Sequence, residues 1–380
     1  MVGLIAVGVQ VPALLSLARL LGRAAPGLAG ATLLTLPFLW SSMRNPFDRQ
    51  PRSRLHIALV MWPFYLWWTV CVTYFLFAPP ALLVALLTPA SLDQSLAVAG
   101  ALSAVAGLAA LRRTPRIVRH AVAITDLPPE LEGYRIAQIS DLHCGPFTPR
   151  ARVRRWVART NALGADLIAV TGDLITSGEH YVAAVTEELG ELRAPDGVWA
   201  CMGNHDYFTD GERLAGALEE RGLRVLRNRG VIVARGAARL YLAGVDDTWT
   251  RRHDVAAALR ARPAGAPAVL LAHDPELFGE SAAHGVDLTL SGHTHGGQIA
   301  VPGVTRRWNL ARMLTRFTAG LFHEGRSTLY VSRGLGTTGP PVRLGARPEI
   351  AVLELRRAPL TDAPLHDLAE EAIREASGAG

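Results

Sequence analysis

Five short stretches of this chain set acid, amide or imidazole side chains directly behind apolar runs. They are Ser140-Asp141-Leu142-His143, Thr171-Gly172-Asp173, Gly203-Asn204-His205-Asp206, Ala272-His273-Asp274 and Gly292-His293-Thr294-His295-Gly296-Gly297-Gln298. Between them they hold aspartates, an asparagine and five histidines, of which three or four would complete the ligand kit for two divalent cations sharing one carboxylate. Such an ion pair activates a water and clamps a phosphoryl group at the same time. The chemistry this points to is metal-assisted hydrolysis of a phosphoester. Imidazole mixed with carboxylate suits Mn, Fe, Zn or Co, whereas an all-oxygen set would suit Mg or Ca.

A lone histidine in any one of these places is more often a cap or a core residue than a ligand. What changes the reading is the elements that precede them. Tyr134–Ser140, Asp166–Thr171, Val198–Met202, Ala268–Ala272 and Val286–Ser291 are short runs rich in Val, Ile and Leu, each closed by a polar or glycine turn, the pattern of buried strands. Arg150–Leu163, Glu179–Leu192, Gly211–Arg221 and Asp254–Arg262 read as amphipathic helices between them. Strands alternating with helices predict an α/β fold with sheets covered by helices. In such folds ligands gather beyond the carboxyl ends of the strands, where all five stretches fall. Gly172 lets the backbone turn tightly and aim the Asp173 carboxylate between two ions.

The order Asp-x-His, Gly-Asp, Gly-Asn-His-Asp, His, Gly-His-x-His resembles that of the calcineurin-like metallophosphoesterases. The Gly-His-Thr-His-Gly-Gly-Gln ending, with Tyr330-Val331-Ser332-Arg333-Gly334-Leu335-Gly336 and Pro348-Glu349-Ile350 beyond it, is similar to the membrane-associated YkuE/YaeI-like branch. The resemblance covers roughly residues 115–357. It implies a four-layer αββα sandwich with the metals at the strand ends. It also implies that one metal takes Asp141, His143, His295 and the shared Asp173, and that the other takes Asp173, Asn204, His273 and His293. His205 would then stabilise or protonate the leaving oxygen, with Asp206 fixing its imidazole; the alternative for Asp206 is a carboxylate that caps a turn. Gln298 and Arg333 are candidate phosphate contacts, an ion pair being the other reading of Arg333. Asp274 is either a support for the ligand before it or a cap ahead of Pro275. Cys144, beside the first motif, reads first as a small packing hydrophobe, with oxidation sensitivity as the other prospect.

The first part of the chain lies outside this pattern. Residues 1–112 are mostly apolar and carry four candidate membrane spans, Val2–Gly22, Ala24–Met43, Ile57–Ala78 and Leu96–Leu111, with Pro79–Leu87 either extending the third or re-entering. No basic residue precedes the first apolar run, which argues against a cleaved signal peptide. Residues 113–358 form the predicted catalytic domain and 359–380 a polar tail. The net charge of +6 comes entirely from arginine. Arg44, Arg49, Arg52 and Arg54 fall between the second and third spans, and Arg112, Arg113, Arg116 and Arg119 after the fourth. Because cytoplasmic loops are enriched in basic residues, both clusters are expected inside, with the catalytic domain in the cytoplasm of a bacterial cell and the chain in its inner membrane. Cys71, Cys144 and Cys201 are too few for a disulfide framework.

Residues 304–322 mix Trp308, Met313, Leu314, Phe317 and Leu321 with Arg306, Arg307, Arg312 and Arg316, the makeup of a basic, partly apolar flap at an anionic bilayer surface. The expected substrate is a phosphoester or pyrophosphate, lipid-linked in the sharper reading (a UDP-diacylglucosamine-like molecule, an undecaprenyl phosphate or a phospholipid). The competing class is a membrane sensor or scaffold whose metal site is only structural. A nucleic-acid partner is not expected, and oligomeric state is not legible.

Overall fold

The computed structural model describes residues 7–44, 50–111, 114–208, 210–301 and 308–358 of the chain. The polar tail, Arg49, Arg112, Arg113, Arg306, Arg307 and the start of the first candidate span lie outside the described residues. The chain divides into two compact units, Met1–Arg112 with Gly339–Leu344, and Arg113–Thr338 with Gly345–Gly380.

The first unit is helical. Its described helices are Val11–Leu20, Ala25–Arg44, a continuous Arg54–Leu87 with a π-helical turn at Ile57–Met61, and Leu92–Ala109. Arg54–Leu87 and Leu92–Ala109 are long and apolar enough to cross a bilayer. Pro79 and Pro80 lie inside the former, so Pro79–Leu87 extends that helix and does not re-enter. Ser91 and Gln94 close a capping box at the start of the latter. Buried polar groups tie the helices together. Trp67 Nε1 donates to Gln10 Oε1 at 2.8 Å, Gln10 Nε2 to Thr35 Oγ1 at 3.0 Å, and Thr73 Oγ1 to the Ser103 carbonyl at 2.9 Å. Polar contacts of this kind join helices where the surrounding solvent is itself apolar.

In the second unit, strands β1 (Arg116–Ile124), β2 (Arg135–Ile139), β3 (Leu167–Thr171), β4 (Val198–Cys201) and β5 (Arg224–Val225) lie in one sheet. Strands β6 (Arg229–Arg235), β7 (Ala238–Gly244), β8 (Ala268–Leu271), β9 (Leu288–Ser291), β10 (Gly320–Glu324) and β11 (Ser327–Val331) form a second, and β12 (Glu349–Arg357) returns to the first. The strand orders are β1-β12-β2-β3-β4-β5 and β10-β11-β9-β8-β7-β6. The strands that lead into the five motifs, β2, β3 and β4 in one sheet and β8 and β9 in the other, are parallel within each sheet.

The two-residue period of each strand divides its side chains between two cores. Ile136, Leu167 and Ala169 pack with Leu240, Leu242, Val269, Leu271 and Leu290 between the sheets. Ala137, Ile139, Ile168 and Val170 face outward onto Val153, Trp156, Val185, Leu189, Leu214 and Leu218 of the helices Arg150–Asn161, Val182–Leu189 and Gly211–Glu220. Tyr241, Ala243, Ala268 and Leu270 pack on Val255, Ala258 and Leu277 outside the second sheet. Helix, sheet, sheet and helix layers follow, as expected of the αββα sandwich. Gln138 crosses the inner layer, donating to Thr171 Oγ1 at 2.8 Å and to the Ser291 carbonyl at 2.9 Å, and so ties the two sheets together just below the motifs.

Candidate metal centre

The five motifs leave their strands and converge. Asp141, His143, Asp173 and His295 offer ligand atoms that all lie within 4.8 Å of one another, and Asp173, His273 and His293 do the same. Asp173 belongs to both groups. Its Oδ2 lies 3.5 Å from His143 Nε2 and 3.3 Å from His273 Nε2. Around it His143 Nε2 faces His295 Nε2 at 3.0 Å, His295 Nε2 faces Asp141 Oδ1 at 3.4 Å, and His293 Nδ1 faces Asn204 Oδ1 at 3.1 Å and His273 Nε2 at 3.3 Å. Ligand atoms that share one ion at bonds of about 2.1 Å and right-angled to tetrahedral geometry stand about 3.0–3.4 Å apart. The observed separations match that spacing, so the residues fit a pair of divalent ions.

The backbone is bent to achieve this. Asp141, His143, Asp173, His293 and His295 all have positive φ, between 45° and 70°, a region that costs non-glycine residues energy. Concentration of that strain on the candidate ligand residues marks a site whose geometry the surrounding fold imposes. Glycine is required beside them. A Cβ on Gly172, at φ 77°, would lie 2.6 Å from the Gly203 nitrogen and 2.7 Å from His273 Nδ1. One on Gly203 would collide with Asp173 Oδ1.

Neighbouring groups set the ligand nitrogens. His273 Nδ1 donates to the Thr171 carbonyl at 2.7 Å, which leaves Nε2 toward Asp173. The His293 backbone N–H donates to Asp141 Oδ1 at 3.0 Å, holding that carboxylate from the opposite sheet. Burial works to raise the Asp173 carboxyl, but the imidazoles around it, His273 foremost, outweigh burial and hold it well below the ordinary carboxylate range. Burial works to lower His273, yet the Asp173 carboxylate pushes it up to about 10. Burial, reinforced by His273, lowers His293.

At four places the structure shows which protein partners these residues take. Asp206 does not hold the His205 imidazole. It is fully buried, its Oδ2 accepts from the backbone N–H groups of Asp173 at 3.0 Å and Gly203 at 2.9 Å, and its Oδ1 accepts from Leu174 at 2.8 Å and Ile175 at 3.3 Å. Burial and the Asp173 charge push Asp206 up to about 7, and the backbone donors oppose that shift. Asp206 is thus a clamp on the Asp173 turn, the capping alternative. His205 instead places Nδ1 2.8 Å from the Thr176 carbonyl, donates its backbone N–H to Asp173 Oδ1 at 2.9 Å, and sets its ring perpendicular to His143 with centroids 4.6 Å apart. Gln298 turns its amide on Thr338, Nε2 to the carbonyl and Oε1 to the N–H, both at 3.0 Å, and so joins two loops. Arg333 pairs with the buried Glu349 at 2.6 Å, the ion-pair alternative. Cys144 is fully buried and its thiol is pushed up to about 12 by burial and then by Glu188, so it is an unreactive packing group.

Asp274 caps the turn at Pro275, accepting from Glu276 N at 3.0 Å, and its other oxygen accepts from Thr248 Oγ1 at 2.7 Å. In the flap, Trp308, Met313 and Leu314 are exposed, whereas Phe317 is buried with Phe278 and Phe322 and completes the core. The sequence reading missed β7, although Leu240–Gly244 ends in Val245-Asp246-Asp247 with the same apolar-then-acid signature as the other motif strands. The loop after it brings Trp249 to within 6.2 Å of His293, ring to ring.

A model of the calcineurin-like phosphoesterase family matches residues 134–297. The Bacillus subtilis protein named uncharacterized metallophosphoesterase YkuE is 31% identical over 271 residues, 68% of this chain and 93% of that protein. Proteins named "transmembrane protein with metallophosphoesterase domain" are similar at 33% identity in Danio rerio and 34% in Bos taurus, over 68% and 67% of this chain. The matched stretch is 61% and 60% of those two relatives' own lengths. The strand-end histidines and aspartates fall within the matched family region, and the chain belongs to the calcineurin-like phosphoesterase family, whose members work with divalent metals.

Proposed function

We propose that this chain is a membrane-anchored hydrolase that cleaves a phosphoester or pyrophosphate bond with two divalent ions. The observation that carries the reading is the single Asp173 oxygen facing the imidazoles of both donor groups. Asp141, His143, Asp173 and His295 would hold one ion, and Asp173, Asn204, His273 and His293 the other. When bound, such a pair acidifies a water and draws charge from the phosphoryl oxygens. The chain's own part is to fix that geometry and handle the proton. Asp206 locks the Asp173 turn from below through four backbone donors. The Thr176 carbonyl accepts a hydrogen bond from Nδ1–H of His205, so in the imidazolium form it is the Nε2 proton that would pass to the leaving oxygen, leaving the neutral Nδ1–H ring. Mn, Fe, Zn and Co all suit the mixed nitrogen and oxygen donors.

The bilayer is the anchor, through four spans with both termini inside and the arginine clusters on the cytoplasmic face of a bacterial inner membrane. A lipid-linked substrate is the finer form of the proposal, supported by the exposed Trp308, Met313 and Leu314 beside exposed Arg312. The test is a hydrolysis panel on the purified chain with Mn, covering monoesters, diesters, pyrophosphates and lipid-linked esters, with Asp173→Asn as control. Turnover by the parent and none by the control is the expected result; equal background from both would remove the hydrolase reading. Replacing Trp308, Met313 and Leu314 together by Ser should impair lipid-linked esters more than a small chromogenic diester, and equal loss on both would argue against a lipid substrate.

A further inference from the structure

Singly exposed apolar residues are ordinary on protein surfaces. Trp249 is set apart by where it stands and how firmly it is held. It lies on the loop that leaves β7, and β7 pairs in parallel with β8, the strand that delivers His273. Its indole is 65% exposed, so it contributes little to any core, yet its ring centroid is 6.2 Å from that of His293. The loop beneath it is pinned on several sides. Asn228 Oδ1 accepts from the N–H groups of Asp246 at 3.0 Å and Asp254 at 2.9 Å, and Asn228 Nδ2 donates to the Arg252 carbonyl at 2.6 Å. Asp247 Oδ2 accepts from Thr250 N at 2.8 Å. Thr248 Oγ1 donates to Asp274, the residue that follows His273, at 2.7 Å. A loop fixed to the metal-bearing strand thus presents a bare aromatic face at the edge of the site.

The chemistry around Trp249 selects what it would meet. Its neighbours in the loop are Thr248, Thr250, Arg251 and Arg252, of which Thr250, Arg251 and Arg252 are exposed. An acyl chain needs a continuous apolar trough, which these residues do not offer. A planar ring needs one exposed π face, and rings such as nucleobases stack on an indole whatever their hydrogen-bonding pattern. Across the site, Phe208 is 36% exposed with its ring 4.5 Å from that of His205. Because the His205 ring in turn lies 4.6 Å from that of His143, the two aromatics stand beside different donor groups, Phe208 through His205 beside His143 and Trp249 beside His293.

We propose that Trp249 is a specificity-determining residue that stacks on a planar ring, a nucleobase or an aryl group, carried on the retained side of the scissile phosphate. This deepens the hydrolase reading above and rests on it for the position of the phosphate. It makes a substrate substituted on both sides of the phosphoryl group, a diester or pyrophosphate, the natural partner of the site. The test uses the purified full chain with Mn and two esters that share one leaving group, thymidine 5′-(p-nitrophenyl phosphate) and methyl p-nitrophenyl phosphate. Stacking of one base changes binding by about tenfold or more. The ratio of kcat/KM for the nucleoside ester over the methyl ester should therefore fall by about that factor in Trp249→Ala and recover in part in Trp249→Phe. A ratio unchanged in Trp249→Ala would overturn the proposal. A second arm needs no turnover: UMP should quench the fluorescence of the parent protein, and the quench should vanish in Trp249→Phe, which removes one of 8 tryptophans. If neither ester is cleaved by the parent, the hydrolase reading is left to the wider panel with its Asp173→Asn control, and the fluorescence arm alone decides this proposal: no quench in the parent, or a quench that persists in Trp249→Phe, sinks it.

Discussion

Asp206→Asn separates two accounts of the Gly-Asn-His-Asp motif. The carboxylate accepts four backbone N–H groups, two on each oxygen, in a fully buried position. The amide keeps one acceptor and turns an NH2 toward the donors of the other oxygen. Whichever way it rotates, two buried N–H groups lose their partner and face a donor. Each unsatisfied buried donor costs about 1–3 kcal/mol, so the substitution should remove about 2–6 kcal/mol. Domains of this size lose roughly 2–4 °C of melting temperature per kcal/mol, which predicts a fall of at least about 4 °C. Because two of the four donors belong to Asp173 and Gly203, the loss should appear in metal retention as well as in melting. The assay is a melting curve with and without chelator, paired with metal content after dialysis. Full metal content and an unchanged melting temperature, with only kcat reduced, would refute the clamp and return Asp206 to orienting His205.

Other substitutions probe other joints of the same structure. Gly203→Ala should expel metal as Asp173→Asn does, because its methyl would occupy the space of Asp173 Oδ1; retained metal by elemental analysis would contradict that. Glu349→Gln removes the charge that faces Arg333 and weakens the bonds from Tyr330 OH and the Arg333 N–H, and should cost about 2 kcal/mol, read as lower melting. Gln298→Ala breaks both bonds to Thr338 and should lower melting by a few degrees, roughly 1–2 kcal/mol, without raising KM; a higher KM at unchanged melting would restore Gln298 as a substrate contact. Oxidation by peroxide should spare Cys144 in the folded protein, and rapid modification on mass analysis would contradict its burial.

The strands that carry ligands were legible because each joins a buried apolar run to residues whose chemistry has few other uses. Strands without such endings were not. β1 and β12 pair in parallel although one starts at Arg116 and the other at Glu349, and nothing in either stretch announces the other. β7 had the signature but no histidine to draw attention to it. The candidate ligand residues stood out through side-chain type together with the apolar runs that precede them, and the family resemblance divided them between two metals. The supporting residues did not, since their partners are backbone groups brought close by the fold: the N–H groups of Leu174 and Ile175 for Asp206, the Thr176 carbonyl for His205, the Thr338 peptide for Gln298. Side-chain identity left Asp206 and Arg333 each with two uses, and the distances select one. The helix through Pro79 and Pro80 was likewise obscured, because two adjacent prolines normally end or kink a helix, whereas here it runs on to Leu87.

The central claim is that Asp173 is shared by two cations. The purified full chain, dialysed against trace Mn and analysed for metal per polypeptide, tests it most directly. The account predicts two equivalents in the parent protein and the loss of both, not one, in Asp173→Asn, because a single oxygen faces His143 and His273 together. One equivalent in the parent, or one retained in the variant, would contradict it.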